Sequence, residues 1–172
     1  RPAHLPRQRL WKVRAGQTVL AQGAHERPLV FSGNDLPGVM LAGAVRNFVN
    51  RYGVLPGNRA IVVTNNDDAY RTALSLDEAG ANVVVVDLRI DAAGPLITAA
   101  RDAGIAIMAG HAVTLAHGGQ RVARVEICPV NEGATQIIGD AVHMDCDLIA
   151  MSGGLSPAVH LHSQARGKLE WD

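Results

Sequence analysis

The side chains in this chain with chemistry to offer are seven histidines, two cysteines and the carboxylate pair Asp67-Asp68. His160 and His162 flank Leu161, the alternation that two metal ligands on one strand would show. A zinc site needs three or four ligands. No third lies near these two in sequence, so structural or interface histidines are expected. His111, His117 and His143 fall at predicted strand or turn edges with no evident partner. Cys128 and Cys146 match neither a redox C-x-x-C spacing nor a zinc spacing. Buried, inert thiols without a disulfide are expected, in a reduced cytoplasmic protein. Ser152-Gly153-Gly154 is not a G-x-S-x-G elbow, so no hydrolase nucleophile is read there. No catalytic residue and no metal site is assigned.

Phosphate chemistry is the other possibility. Thr64–Asp68 follows a predicted strand and precedes a predicted helix, where a dinucleotide pyrophosphate usually sits. Such a site needs glycines so that backbone can approach the phosphates, and an open helix N-terminus. No glycine occurs from Asn58 to Ala79. Asp67 and Asp68 put carboxylates at the helix start, where one is expected to cap the helix and both to repel phosphate. The turn is therefore expected not to bind a dinucleotide. Asp87 lies about twenty residues further on, the place of a ribose-binding acid. Without a glycine fingerprint, a solvated strand-end carboxylate is the stronger reading. Gly23-Ala24 ends a predicted strand, and small residues there let backbone approach a dinucleotide closely. His25-Glu26-Arg27 suits either a phosphate or partner contact or a surface ion pair of little worth.

These residues must be positioned by a definite set of elements. Ala60–Val63 and Val83–Val86 are continuous apolar runs, as strands buried on both faces would be. Between them Ala69, Ala73, Leu76 and Ala79 form one helical stripe closed by Gly80. Strand, helix and parallel strand make a right-handed βαβ unit. A helix near Leu96–Ala103 leads to a third strand at Ile105–Met108, and Leu148–Met151 is a fourth apolar run. All four strands are expected in one parallel sheet. Leu41, Val45, Phe48 and Tyr52 predict a further helix ended by Gly53, after a loop over 28–39. Val113–Ala116 and Val122–Cys128 flank a hairpin turn at His117–Gln120, and a weak strand pair covers Gln136–Met144. Leu10–Ala15 and Gln17–Ala21 read as two short strands, whose exposed edges would invite self-association. The fold class is α/β: doubly wound, with a mainly parallel central sheet, helices on both faces and a small antiparallel β layer.

Hydrophobic residues make up 48% of the 172, enough for one ordinary core, while aromatics are only 3%, so aliphatic side chains must fill it. Sixteen basic residues balance sixteen acidic ones, which gives no electrostatic case for nucleic acid or an anionic membrane. No apolar run is long enough to span a bilayer. The chain begins at Arg1 within a Pro- and Arg-rich stretch, which reads as the middle of a longer protein.

Ala21-Gln22-Gly23-Ala24, and Cys146 to Pro157 with its apolar strand ending in glycine, resemble the two-dinucleotide-domain flavoproteins. In that family the first motif is Ala-Thr-Gly, where the chain passes between nucleotide domains. Gln22 replaces the threonine here, so a hydroxyl contact is lost. Gly23–Pro28, Pro37–Leu41, Thr64–Ala73 and Val159–Gln164 are similar, more specifically, to the alpha-subunit family of heterotetrameric sarcosine oxidases. The resemblance covers nearly the whole chain. It implies an internal piece of a longer subunit that binds NAD through an amino-terminal glycine motif. That subunit sits in a complex holding FAD and FMN, which demethylates sarcosine oxidatively, and the other subunits would be the partners. Neither the glycine motif nor the folate-using domain of that family is present, so no cofactor and no activity are expected of this stretch alone. Residues 1–53 would be the tail of the first nucleotide domain with a connecting helix. Residues 54–155 would be the second, Rossmann-like domain, and 156–172 a return segment. The remaining readings are a subunit of a related amine or opine oxidase, and an interaction module with a degenerate nucleotide site. An NADPH-dependent flavoprotein reductase would need glycines or a redox cysteine pair that are absent.

Overall fold

The computed structural model describes residue 4 and residues 6–170; Arg1, Pro2, Ala3 and Leu5 of the opening Pro- and Arg-rich stretch, and Trp171 and Asp172, lie outside it. Contacts divide the chain into two units. Ala24–Ser156 is one, and the residues before and after it form the other.

In the larger unit the elements run β1 (Ala24–Glu26), β2 (Val39–Leu41), α1 (Ala42–Tyr52), β3 (Arg59–Thr64), α2 (Asp68–Glu78), β4 (Asn82–Asp87), α3 (Pro95–Asp102) and β5 (Ala106–Ala109). Next come β6 (His111–Gly118), β7 (Val122–Pro129), β8 (Val142–Asp145) and β9 (Leu148–Ser152). The strand β10 (Leu155–Pro157) pairs with β1. The five-stranded sheet has the order β2-β9-β3-β4-β5, and every pairing in it is parallel. The four strands expected to share one sheet do so. The fifth, β2, falls inside the stretch read as loop and helix start, because three residues are too few to declare a period. Strands β6, β7 and β8 form an antiparallel sheet.

The parallel sheet has helices on one face only, which corrects the expectation of helices on both. Alternate strand residues Ala60, Val62, Val83, Val85, Leu148 and Ala150 pack with Val45, Tyr70, Ala73, Leu76, Ile97 and Ala100 of the three helices. The opposite residues Ile61, Val63, Val86, Ile149 and Met151 pack with Val113, Val122, Val125 and Ile127 of the antiparallel sheet. Chain handedness explains this. From β2 to β3 to β4 to β5 the path always advances in one direction across the sheet, and right-handed crossovers then place α1, α2 and α3 on one side. Only the return from β5 to β9 runs backwards. Its connection belongs on the other face, and that connection is the antiparallel layer.

One further difference follows from missing partners. Residues 10–15 and 17–21 lie in no ladder among the described residues, and Leu10 and Val19 are each 89% exposed. Apolar alternation alone does not make a strand without a neighbour to bond. β2 is bonded to β9, and α1 is tied to α2 by Thr72 Oγ1 donating to Ala42 O at 3.0 Å, so both join the larger unit.

Cys128 and Cys146 are both buried and unpaired. Burial is the first cause pushing the Cys146 thiol up to about 11. The thiolate is the reactive form, so iodoacetamide should label both residues slowly in native protein at pH 7. In unreduced denaturant it should label two thiols rapidly. Fewer than two would contradict the pairing state.

Candidate functional site

The carboxyl ends of β3, β4 and β9 meet where the sheet changes direction. The chain moves from β3 towards β4 on one side, while β9 returns on the other. In open α/β sheets this is where a crevice for ligands forms. The side chains that project there are Thr64, Asn66, Asp67, Asp87, Arg89 and Ser152.

They bond one another. Asn66 Nδ2 donates to Ser152 O at 3.2 Å and to Ser152 Oγ at 3.1 Å, a stitch across the crevice. Thr64 Oγ1 accepts the Asn66 amide at 3.0 Å, and Asn66 Oδ1 accepts the Asp68 amide at 3.1 Å. Side chains thus occupy amides that a pyrophosphate would use. The capping expectation needs correction here. Asp67 occupies the N-cap position with helical backbone angles and makes no side-chain cap bond. Its Oδ1 instead lies 2.7 Å from Arg89 Nη1. Asp68 pairs with Arg46 at 3.2 Å and Arg71 at 3.3 Å. Both carboxylates are balanced by guanidinium groups, so the net repulsion of phosphate expected from them at this turn is offset.

Asp87 is neither a solvated strand end nor an open ribose acceptor. It is fully buried, and its Oδ2 accepts from Tyr70 Oη at 2.8 Å and Arg89 Nη2 at 2.8 Å. Its Oδ1 accepts from Arg89 N at 2.9 Å and Arg89 Nε at 3.0 Å. Burial first, and then the bond to Asp87, raise the Tyr70 hydroxyl well above the usual tyrosine range. The bond to Asp87 is the chief cause holding Arg89 more firmly charged. Both carboxylate oxygens of Asp87 are thus engaged by groups of the same chain.

The other residues singled out from the sequence lie apart. Gly23 has φ +68°, and nothing lies within 4 Å of where a Cβ would stand. Backbone handedness therefore explains this glycine, with no crowding inside the chain. Ala24 opens β1 and is exposed. Glu26 is not a surface ion pair. Its Oε2 accepts the Gly43 amide at 2.8 Å, which fills the N-terminus of α1 with a carboxylate of the same chain. Arg27 is tied through its backbone to Gly153 and Gly154. His160 and His162 lie on the short helix α4 (His160–Gln164), where His162 Nε2 is 3.3 Å from Lys168 O. His111 Nδ1 is 2.7 Å from Ala109 O.

His117 and His143, read from the sequence as having no evident partner, lie close to each other and to Glu126. Their ligand-capable atoms all lie within 4.8 Å. They come from three successive antiparallel strands. Only the register of β8, which sequence left as part of a weak pair, brings His143 beside Glu126.

No family model matches the chain. It is 41% identical over 170 residues to the sarcosine oxidase alpha subunit of Corynebacterium sp. (strain P-1), covering 99% of this chain and 18% of that protein. It is 42% identical over 170 residues to that of Rhizobium meliloti (strain 1021), covering 98% and 16%. The chain thus spans less than a fifth of the length of these relatives. An opine oxidase subunit of Agrobacterium tumefaciens (strain Ach5) is 36% identical over 76 residues, 44% of this chain and 15% of that protein. Among solved structures, T. acidophilum thioredoxin reductase superposes with a TM-score of 0.66 at 15% identity, over 87% of this chain and 47% of that one. Lactococcus lactis thioredoxin reductase gives 0.62 at 19% identity, over 83% and 46%. The chain shares the fold of these thioredoxin reductases. Among the described residues no helix is long and apolar enough to cross a membrane.

Proposed function

We propose, for a chain that is over nearly its whole length a homologue of one stretch of sarcosine oxidase alpha subunits, that Ala24–Ser156 is a dinucleotide-fold scaffold within an oxidoreductase subunit. It is not a self-sufficient nucleotide binder. The observation that carries this reading is the stitched crevice, in which Asn66 bonds Ser152 and the helix-start amides already have acceptors. The parent activity is oxidative demethylation of sarcosine, with NAD held elsewhere in the complete alpha chain, and with FAD and FMN elsewhere in the complex. Gly23-Ala24 is the place where this chain approaches a dinucleotide of the complete protein, and the other subunits are its partners. The similarity to the opine oxidase protein supports a second reading, in which the parent complex oxidises a related secondary amine.

Titration calorimetry of the chain with NAD and NADP is expected to find no binding tighter than about 1 mM, roughly −4 kcal/mol. Micromolar binding that is lost in Asn66→Ala or Asp67→Ala would overturn the scaffold reading and make the crevice a working nucleotide site.

A further inference from the structure

We propose that His117, Glu126 and His143 form a binding site for a first-row divalent cation of borderline softness, with Zn²⁺ as the type, on the solvent face of the antiparallel sheet. The argument begins with alternation. Val125 and Ile127 of β7 point into the core, so Glu126 points outward. Ala116 is buried beside His117, and Met144 packs inward beside His143, so both imidazoles share the outward face. Register then brings them together. Glu126 pairs directly with His143, while Leu115 pairs with Glu126, which places His117 on the adjacent diagonal.

Two imidazole nitrogens and one carboxylate oxygen are the donor set that suits zinc. The three donor atoms lie within 4.8 Å of one another. Ligands at about 2.0–2.1 Å in a tetrahedral shell stand roughly 3.3 Å apart. Small side-chain rotations of two exposed rings close that difference. The ring centroids are already 6.1 Å apart, with the rings tilted by 57°. Neither has a hydrogen-bond partner among the described residues, unlike His111 and His162, which contact backbone carbonyls.

The surroundings resemble a supported site. Thr114 Oγ1 donates to Glu126 Oε1 at 2.6 Å, which orients the carboxylate as an outer-shell partner would. Arg124, the nearby cation, is paired with Asp145 at 2.8 Å. A depression of about 420 Å³ lined by His117, Gly118, Ala123, Arg124, His143 and Asp145 leaves both imidazoles an entry path from solvent. A bound ion would clamp β6, β7 and β8, one ligand from each strand.

The test uses the complete protein without a histidine tag. Zn²⁺ is titrated against a chromophoric chelator, and Co²⁺ is followed by its visible absorption. One equivalent binding at about 10 µM or tighter is expected. His117→Ala and His143→Ala should each weaken it at least about 100-fold, and Thr114→Val, the outer-shell change, about 10-fold. Absence of saturable binding up to about 100 µM would overturn the proposal. So would undiminished binding in the double histidine variant, because the ion would then sit elsewhere. Imidazole ¹⁵N resonances of the unsubstituted protein supply a measurement that does not depend on variants folding. Zn²⁺ should shift His117 and His143, and shifts confined to other histidines would refute the site.

Discussion

Asp87→Ala should lower the unfolding free energy by about 3 kcal/mol, the low end of the range for breaking a buried charge pair. The low end applies because the Arg89 side chain keeps 34% of its surface exposed, so water recovers part of the loss. The substitution removes the acceptor for four bonds, from Tyr70 Oη and from N, Nε and Nη2 of Arg89. Tyr70 is fully buried and would keep an unsatisfied hydroxyl. Tyr70→Phe should cost only about 1 kcal/mol, since Arg89 still satisfies the carboxylate. Urea unfolding with an unchanged m-value is the measurement; a loss under about 1 kcal/mol for Asp87→Ala would mean that the triad is not a structural unit. The same group gives a pH signature. The Tyr70 hydroxyl is raised in the folded state, so the fold binds a proton that the unfolded chain has released. That contribution is complete below about pH 10 and is lost as pH rises through the folded value. Cys146, raised from 9.0 to about 11, acts with the same sign from about pH 9 upward. Stability should therefore fall on the alkaline side.

Ile127→Ala should cost about 2–5 kcal/mol, whereas Ile138→Ala should stay within about 0.5 kcal/mol. Ile127 is fully buried between the antiparallel layer and the parallel sheet, while Ile138 is 64% exposed. The comparison asks whether the antiparallel layer is an appendage or half of the core. Ile127 packs in one cluster with Ile61, Val63, Ile149 and Met151, so the two sheets should unfold in a single transition. A mild effect, or two separate transitions, would show that the layer folds on its own.

What could be read from the sequence was governed by periodicity. The runs at Ala60–Val63 and Val83–Val86 and the stripe Ala69, Ala73, Leu76 sit where the parallel sheet and α2 are, because each pattern reports one element's own burial. The hairpin around Gly118-Gly119 was legible for the same reason. Long-range pairing was not. Nothing local to Asp87 announces Tyr70 or Arg89 as its partners, since a strand-end carboxylate looks the same whether solvated or buried. Glu26 and Gly43 are seventeen residues apart, and only the packing of β1 near α1 joins them. At Thr64–Asp68 the carboxylates were legible but their partners were not, because they turn towards arginines on other elements. His117 and His143 were legible as residues but not as a pair, for their proximity depends on the register of β8.

The position of β9 between β2 and β3 has a consequence for how the chain leaves the ribosome. Ala60 of β3 finds its neighbour Leu148 only 88 residues later. β2, α1, β3, α2, β4, α3 and β5 all emerge before the strand that must slot into the middle of their sheet. At about 5–20 residues per second, that slot stays open for roughly 4–18 s. During this time the facing edges of β2 and β3 carry unpaired backbone groups of the kind that other nascent chains can bond. The antiparallel layer is made in the same interval, just ahead of β9. It covers one face of the open sheet and delivers the last strand to a surface already walled on both sides.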